Sequence, residues 1–110
     1  MTIQHQQLSQ GRWQEFSFFK QMANIGSEVE RAIKWRNKKD EQYAILAFDR
    51  ALELIDLTIT DNKNRKRLPE LTRVRETLID YFNFGNQYGD SDKSWQDYFY
   101  GFAYAAQVMR

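Results

Sequence analysis

Apolar side chains recur along this chain in steps of three and four, the spacing that collects residues onto one face of a helix. Phe19, Met22, Gly26, Val29 and Ile33 form one such stripe. Ala44, Phe48, Ala51, Leu52, Ile55 and Ile59 form a second, Leu71, Val74, Leu78, Tyr81 and Phe82 a third, and Trp95, Phe99, Phe102, Ala106 and Met109 a fourth. No stretch alternates apolar and polar residues long enough to argue a strand. Stripes of this kind are buried by packing helix on helix, so the expected fold class is all-α.

Punctuation between the stripes divides the chain. Residues 1–8 read as a polar lead-in and 9–110 as one domain, with helices over about 11–38, 41–61, 69–84 and 92–109. Ser9 is the expected cap of the first helix, Asp40 of the second, and Ser91 or Asp92 of the fourth. Pro69, the only proline, fits the first turn of the third helix. Asn62-Lys-Asn-Arg-Lys-Arg67 breaks the periodicity as a basic loop, and Gly85–Asp92 has turn composition. Four helices with short connections predict an up-down-up-down bundle. Gly26 in mid-stripe costs about 1 kcal/mol of helix propensity against Ala, so it is expected to admit a neighbouring helix closely or to mark a kink. Trp35 lies nearly opposite its core stripe. On the third helix Thr72, Arg73, Glu76 and Asp80 are expected to face away from the core.

Composition removes several function classes. At 110 residues, 42% apolar and 15% aromatic, the chain suits a single domain with its own core. Sixteen basic residues against fifteen acidic ones give net +1, a balance that argues for neither nucleic acid nor membrane. The chain has no cysteine, which removes thiolate catalysis and cysteine metal sites. No apolar run approaches the ~18–20 residues of a membrane span. The amino terminus lacks the basic and apolar segments of a signal peptide, so the expected location is cytoplasmic.

Candidate chemistry is thin. Asp49, Glu53 and Asp56 make an acidic band on the second helix, but bundle metal sites pair such carboxylates with histidine on other helices. The sole histidine is His5, so the band reads as a solvated face, with no metal and no cofactor expected. Serine and threonine nucleophiles lack a base, and the five glycines are scattered rather than gathered in a phosphate loop. Lys63, Arg65, Lys66 and Arg67, extended by Arg73 and Arg75, could grip phosphates. A second basic cluster at the end of helix one would lie ~30 Å away, one ~20-residue helix length. Acidic Asp90, Asp92 and Asp97 should partly neutralise that second cluster.

Two helices carry an apolar face too many. The fourth has Tyr100, Tyr104 and Val108 opposite its core stripe, and the second has Tyr43, Leu46, Leu54 and Leu57. A contiguous exposed patch of this kind marks an interface, unless the two stripes are covered within the bundle. Gly101 borders the stripe on helix four and would let a partner backbone approach. The reading is a non-catalytic interaction module, most simply a homodimer or else bound to another protein. The alternative is an RNA- or nucleotide-linked enzyme or subunit using residues 63–75.

Two segments, Ala23–Asn37 and Phe48–Thr58, resemble small uncharacterised prokaryotic helical-bundle proteins and, more distantly, HEPN and nucleotidyltransferase substrate-binding bundles. The likeness to the latter is one of length and helix layout. HEPN ribonucleases carry an arginine followed closely by a histidine at a dimer interface. This chain has no histidine after His5, so no catalytic residue carries over. The resemblance implies a non-catalytic relative paired with a nucleotidyltransferase-like protein.

Overall fold

Local capping and one early break decide where the helices start. A computed structural model describes residues 11–109; the lead-in expected at 1–8 and the Ser9 cap lie outside the described residues. The first helix, α1, spans Phe18–Asn37 rather than beginning near residue 11. Ahead of it lie a short 3-10 turn, Trp13–Glu15, and extended Phe16. The Ser17 hydroxyl accepts from the Lys20 amide at 3.1 Å, satisfying one of the donors a helix start leaves unpaired. The break frees Trp13 to turn inward. Its side chain is buried, and its indole N–H donates to Thr58 Oγ1 at 2.9 Å.

α2 spans Glu41–Ile59, with Asp40 accepting from the Tyr43 amide as its cap. The basic stretch Asn62–Arg67 is a 3-10 helix rather than an open loop, and the Asp61 carboxylate caps it. α3 spans Leu68–Asn83 with Pro69 in its first turn. α4 spans Asp92–Val108, begun by a reciprocal capping box between Ser91 and Ser94. Among the described residues the only regular structure is thus helical, with four α-helices and no strand.

α1 packs against both α2 and α4, and α3 lies on α2. Met22, Ile25, Val29 and Ile33 of α1 meet Phe48, Ala51 and Ile55 of α2, Leu71 and Leu78 of α3, and Trp95 and Phe99 of α4 in one core. Gly26 does what its position predicts. A Cβ built there would lie 2.6 Å from Phe99 Cβ, so the missing side chain is what allows α1 and α4 to close.

Four expectations about burial are corrected. Leu54 is not a surface residue: it is 3% exposed, because α1 covers a wider arc of α2 than a single stripe. Leu57 is half-buried against the core and also drops out of the exposed face. Asp80, expected to face away, is buried and accepts from the Gln87 and Tyr88 amides, organising the turn after α3. In that turn Gly85, Asn86 and Gly89 all have positive φ, which glycine and asparagine tolerate best. Finally, the α4 stripe runs past the core. Phe102 packs on Phe18 at a ring separation of 5.7 Å, and α1 begins at Phe18, so Met109 is left 66% exposed.

Candidate interaction surface

The outer face of α4 carries large side chains that no other element covers. Tyr100 is 70% exposed, Tyr104 58% and Val108 59%. Gly101 lies among them, and a Cβ built on it would meet nothing within 4 Å. The fold therefore gives Gly26 a packing reason and Gly101 none. Beside this face, a groove of about 460 Å³ runs between α1 and α4, lined among others by Ala23, Gly26, Ser27, Tyr100 and Ala103. Its rim holds Glu30, which accepts from Gln96 at 3.2 Å, together with Arg31 and Lys34.

Tyr43 and Leu46 on α2 are exposed as expected, but they belong to a different surface. Tyr43 packs on Trp35, ring centroids 5.0 Å apart, which gives that tryptophan its partner. α1 sits between α2 and α4, and its outward residues Lys20, Ser27, Glu30, Arg31 and Lys34 are exposed and polar. The expected two-helix patch is therefore two separate patches. Ile45 and Phe84 are exposed too, Ile45 beside a groove of about 230 Å³ that reaches Phe82. Sequence reasoning missed both.

The candidate phosphate contacts are partly committed within the chain. Lys63 binds the Asp61 carboxylate and donates to the Gln14 carbonyl at 2.8 Å. Arg67 stacks on the Phe18 ring at 4.5 Å and lies 3.6 Å from Glu70. Arg75 pairs with Asp56 at 2.8 Å. Arg65, Lys66 and Arg73 project as exposed residues from the 3-10 helix and α3. Of the acidic band, Asp56 is exposed and Asp49 half-buried, but Glu53 is buried rather than solvated. Among the described residues, no group of three histidine, cysteine or acidic side chains could hold a metal ion.

Two polar centres join elements far apart in the chain; sequence reasoning missed the first and, in the second, found only Asp92 as a charge against the basic end of α1. At one end of α1, buried Gln21 donates to the Trp13 carbonyl and to Asp61, while buried Asn64 donates to Gln21 Oε1 and the Thr58 carbonyl. Burial alone would raise the Asp61 pKa, but hydrogen bonds from Lys63 and Gln21 outweigh it and hold the carboxylate below its usual range. At the other end, Asp92 accepts from Tyr81, from Arg36 at 2.8 Å and from Asn37 at 3.0 Å. Burial works against that carboxylate as well, yet these partners lower its pKa. The acidic neutralisation expected at this end is thus made by Asp92. The two centres lock the fold.

Between α3 and α4 lies a further cleft of about 330 Å³, floored by Trp95 and Tyr98. Burial first, and then the Glu70 carboxylate it donates to at 2.9 Å, raise the Tyr98 pKa well above the usual phenol range. That keeps it a neutral donor.

These elements define an all-helical domain of four helices, in which no helix among the described residues is long and apolar enough to cross a membrane. No family model, curated protein or solved structure matches the chain.

Proposed function

We propose that this chain is a non-catalytic, cytoplasmic interaction module, an up-down-up-down bundle that self-associates through the outer face of α4. The contacts at the helix ends support that topology: Arg36 near the close of α1 meets Asp92 at the start of α4, Trp13 just ahead of α1 meets Thr58 near the close of α2, and Tyr81 near the close of α3 meets Asp92. The observation that carries the function is the exposure of Tyr100, Tyr104 and Val108 on one face, around a glycine the monomer does not need. Tyrosine suits such a surface, since its ring buries apolar area while its hydroxyl stays at the wet rim. A face meeting its own copy across a two-fold axis is the commonest way for one chain to use such a patch.

Light scattering on a chromatographed sample at tens of micromolar tests this. The expected result is a species of twice the 13.2 kDa chain mass, reduced to monomer by Tyr104→Glu with helicity unchanged. A wild-type monomer at that concentration would sink the proposal.

A further inference from the structure

We infer that two copies meet through α4 in antiparallel register, centred between Tyr100 and Gly101; this rests on the self-association proposed above. On the face of α4 that bears Tyr100 and Tyr104, the exposed residues are Lys93, Asp97, Tyr100, Gly101, Tyr104 and Val108, with Ser94, Gln96, Ala103 and Gln107 exposed on its flanks. Reversing the helix about that centre sets Lys93 against Val108 of the second copy, Asp97 against its Tyr104, and Tyr100 against its Gly101. Each pairing joins unlike and compatible groups. The Asp97 carboxylate, which accepts from Lys93 of its own helix at 2.8 Å, also accepts the Tyr104 hydroxyl of the second copy. The Tyr100 ring lies over a residue without a side chain, which lets the two backbones close as Gly26 lets α1 and α4 close.

Charge selects the same direction. The last turn of α4 contains no basic residue, so within that turn its free carbonyls present the negative end of the helix with no cation beside them. Antiparallel packing brings Lys93 of the second copy to that end, with its methylene stem over Val108. Parallel packing through the same face would instead set Lys93 beside Lys93 and Asp97 beside Asp97. Two rings at 70% and 58% exposure offer on the order of 250 Å² per copy, if a tyrosine buries ~200 Å². A stable interface needs about 800 Å² per partner. Lys93, Asp97, Val108 and the rim of the α1–α4 groove lie where the remainder is needed.

The absence of native cysteine makes the register directly testable. Lys93→Cys and Val108→Cys are purified separately, mixed, and treated with a short bismaleimide under conditions where wild type is dimeric. The mixture should cross-link at least ten-fold more than either variant alone, because like positions lie about 22 Å apart along the axis at 1.5 Å per residue. Gly101→Leu should retain full helicity, since open space surrounds that position, yet raise the dimer dissociation constant at least ten-fold. Efficient cross-linking of Lys93→Cys alone would overturn the register and leave self-association standing. A dimer indifferent to both Gly101→Leu and Tyr104→Glu would remove α4 from the interface altogether. A wild-type monomer would remove self-association itself.

Discussion

Gly26 and Gly101 form a matched experiment within one molecule. Both lie inside α-helices, so replacing either with alanine gains the same helix propensity, about 1 kcal/mol. Their surroundings differ. At Gly26 the new methyl would lie 2.6 Å from Phe99 Cβ and 2.9 Å from its Cγ, against a preferred carbon–carbon separation of about 3.5–4.0 Å. The nearer of these atoms, Phe99 Cβ, is fixed by the backbone and no rotamer change moves it, so α4 must back away by roughly an ångström. Overpacking of that kind costs about 1–3 kcal/mol. The net expectation for Gly26→Ala is a loss of up to about 2 kcal/mol, because propensity offsets part of the clash. For Gly101→Ala nothing opposes the gain, and the expectation is about 1 kcal/mol of added stability. Urea unfolding followed by far-ultraviolet circular dichroism compares them, at sub-micromolar protein so that monomers are measured. The contrast between the variants, about 1–3 kcal/mol, is the number of interest, because propensity cancels from it. Equal stabilisation by both would refute the close approach of α1 to Phe99.

Asn64→Ala should cost about 1–3 kcal/mol in urea unfolding, because it strands buried Gln21 Oε1 without its donor; the exposed neighbour Asn62→Ala should change stability by no more than about 0.5 kcal/mol. The pH dependence follows from Asp61 and Asp92, both lowered below their ordinary value in the fold. Their contribution is complete above the unfolded pKa near 3.9 and is lost as pH falls through the folded values. The urea midpoint should therefore stay flat from neutrality to about pH 5 and drop below about pH 4, and Asp61→Asn should flatten that drop. On the alkaline side Tyr98 keeps its proton in the fold after unfolded phenols lose theirs near 10, so stability should fall again above that pH.

What could be read from the chain alone was whatever is set locally. The caps at Asp40 and Ser91, Pro69 in a first turn and the Gly26 notch each follow from a residue and its near neighbours, and each is present. The start of α1 was not legible, because Phe16, Phe18 and Phe19 keep the period running while Trp13 is drawn away by Thr58, forty-five positions later. Gln21, Asn64 and Asp80 look like surface residues by type, and only long-range partners reveal them as buried. Of the seven residues assigned to the second stripes, Tyr43, Leu46, Tyr100, Tyr104 and Val108 are exposed. Leu54 and Leu57 are not, since a helical wheel gives direction but not the breadth of a neighbour's footprint.

The Trp13–Gln21–Thr58–Asp61–Asn64 centre also bears on the order in which the chain can assemble. All of its members lie before α3 begins at Leu68, so α1, α2 and the 3-10 helix can lock together before the rest exists. A nascent chain emerges from its amino-terminal end, and this lock is then available early. The opposite flank of α1 has no such cover. Gly26 waits for Phe99, some thirty residues after the lock is complete, with an apolar groove open meanwhile. A chain that has emerged only as far as Arg67 thus holds every partner of one seam of α1 and none of the other, which come with α4.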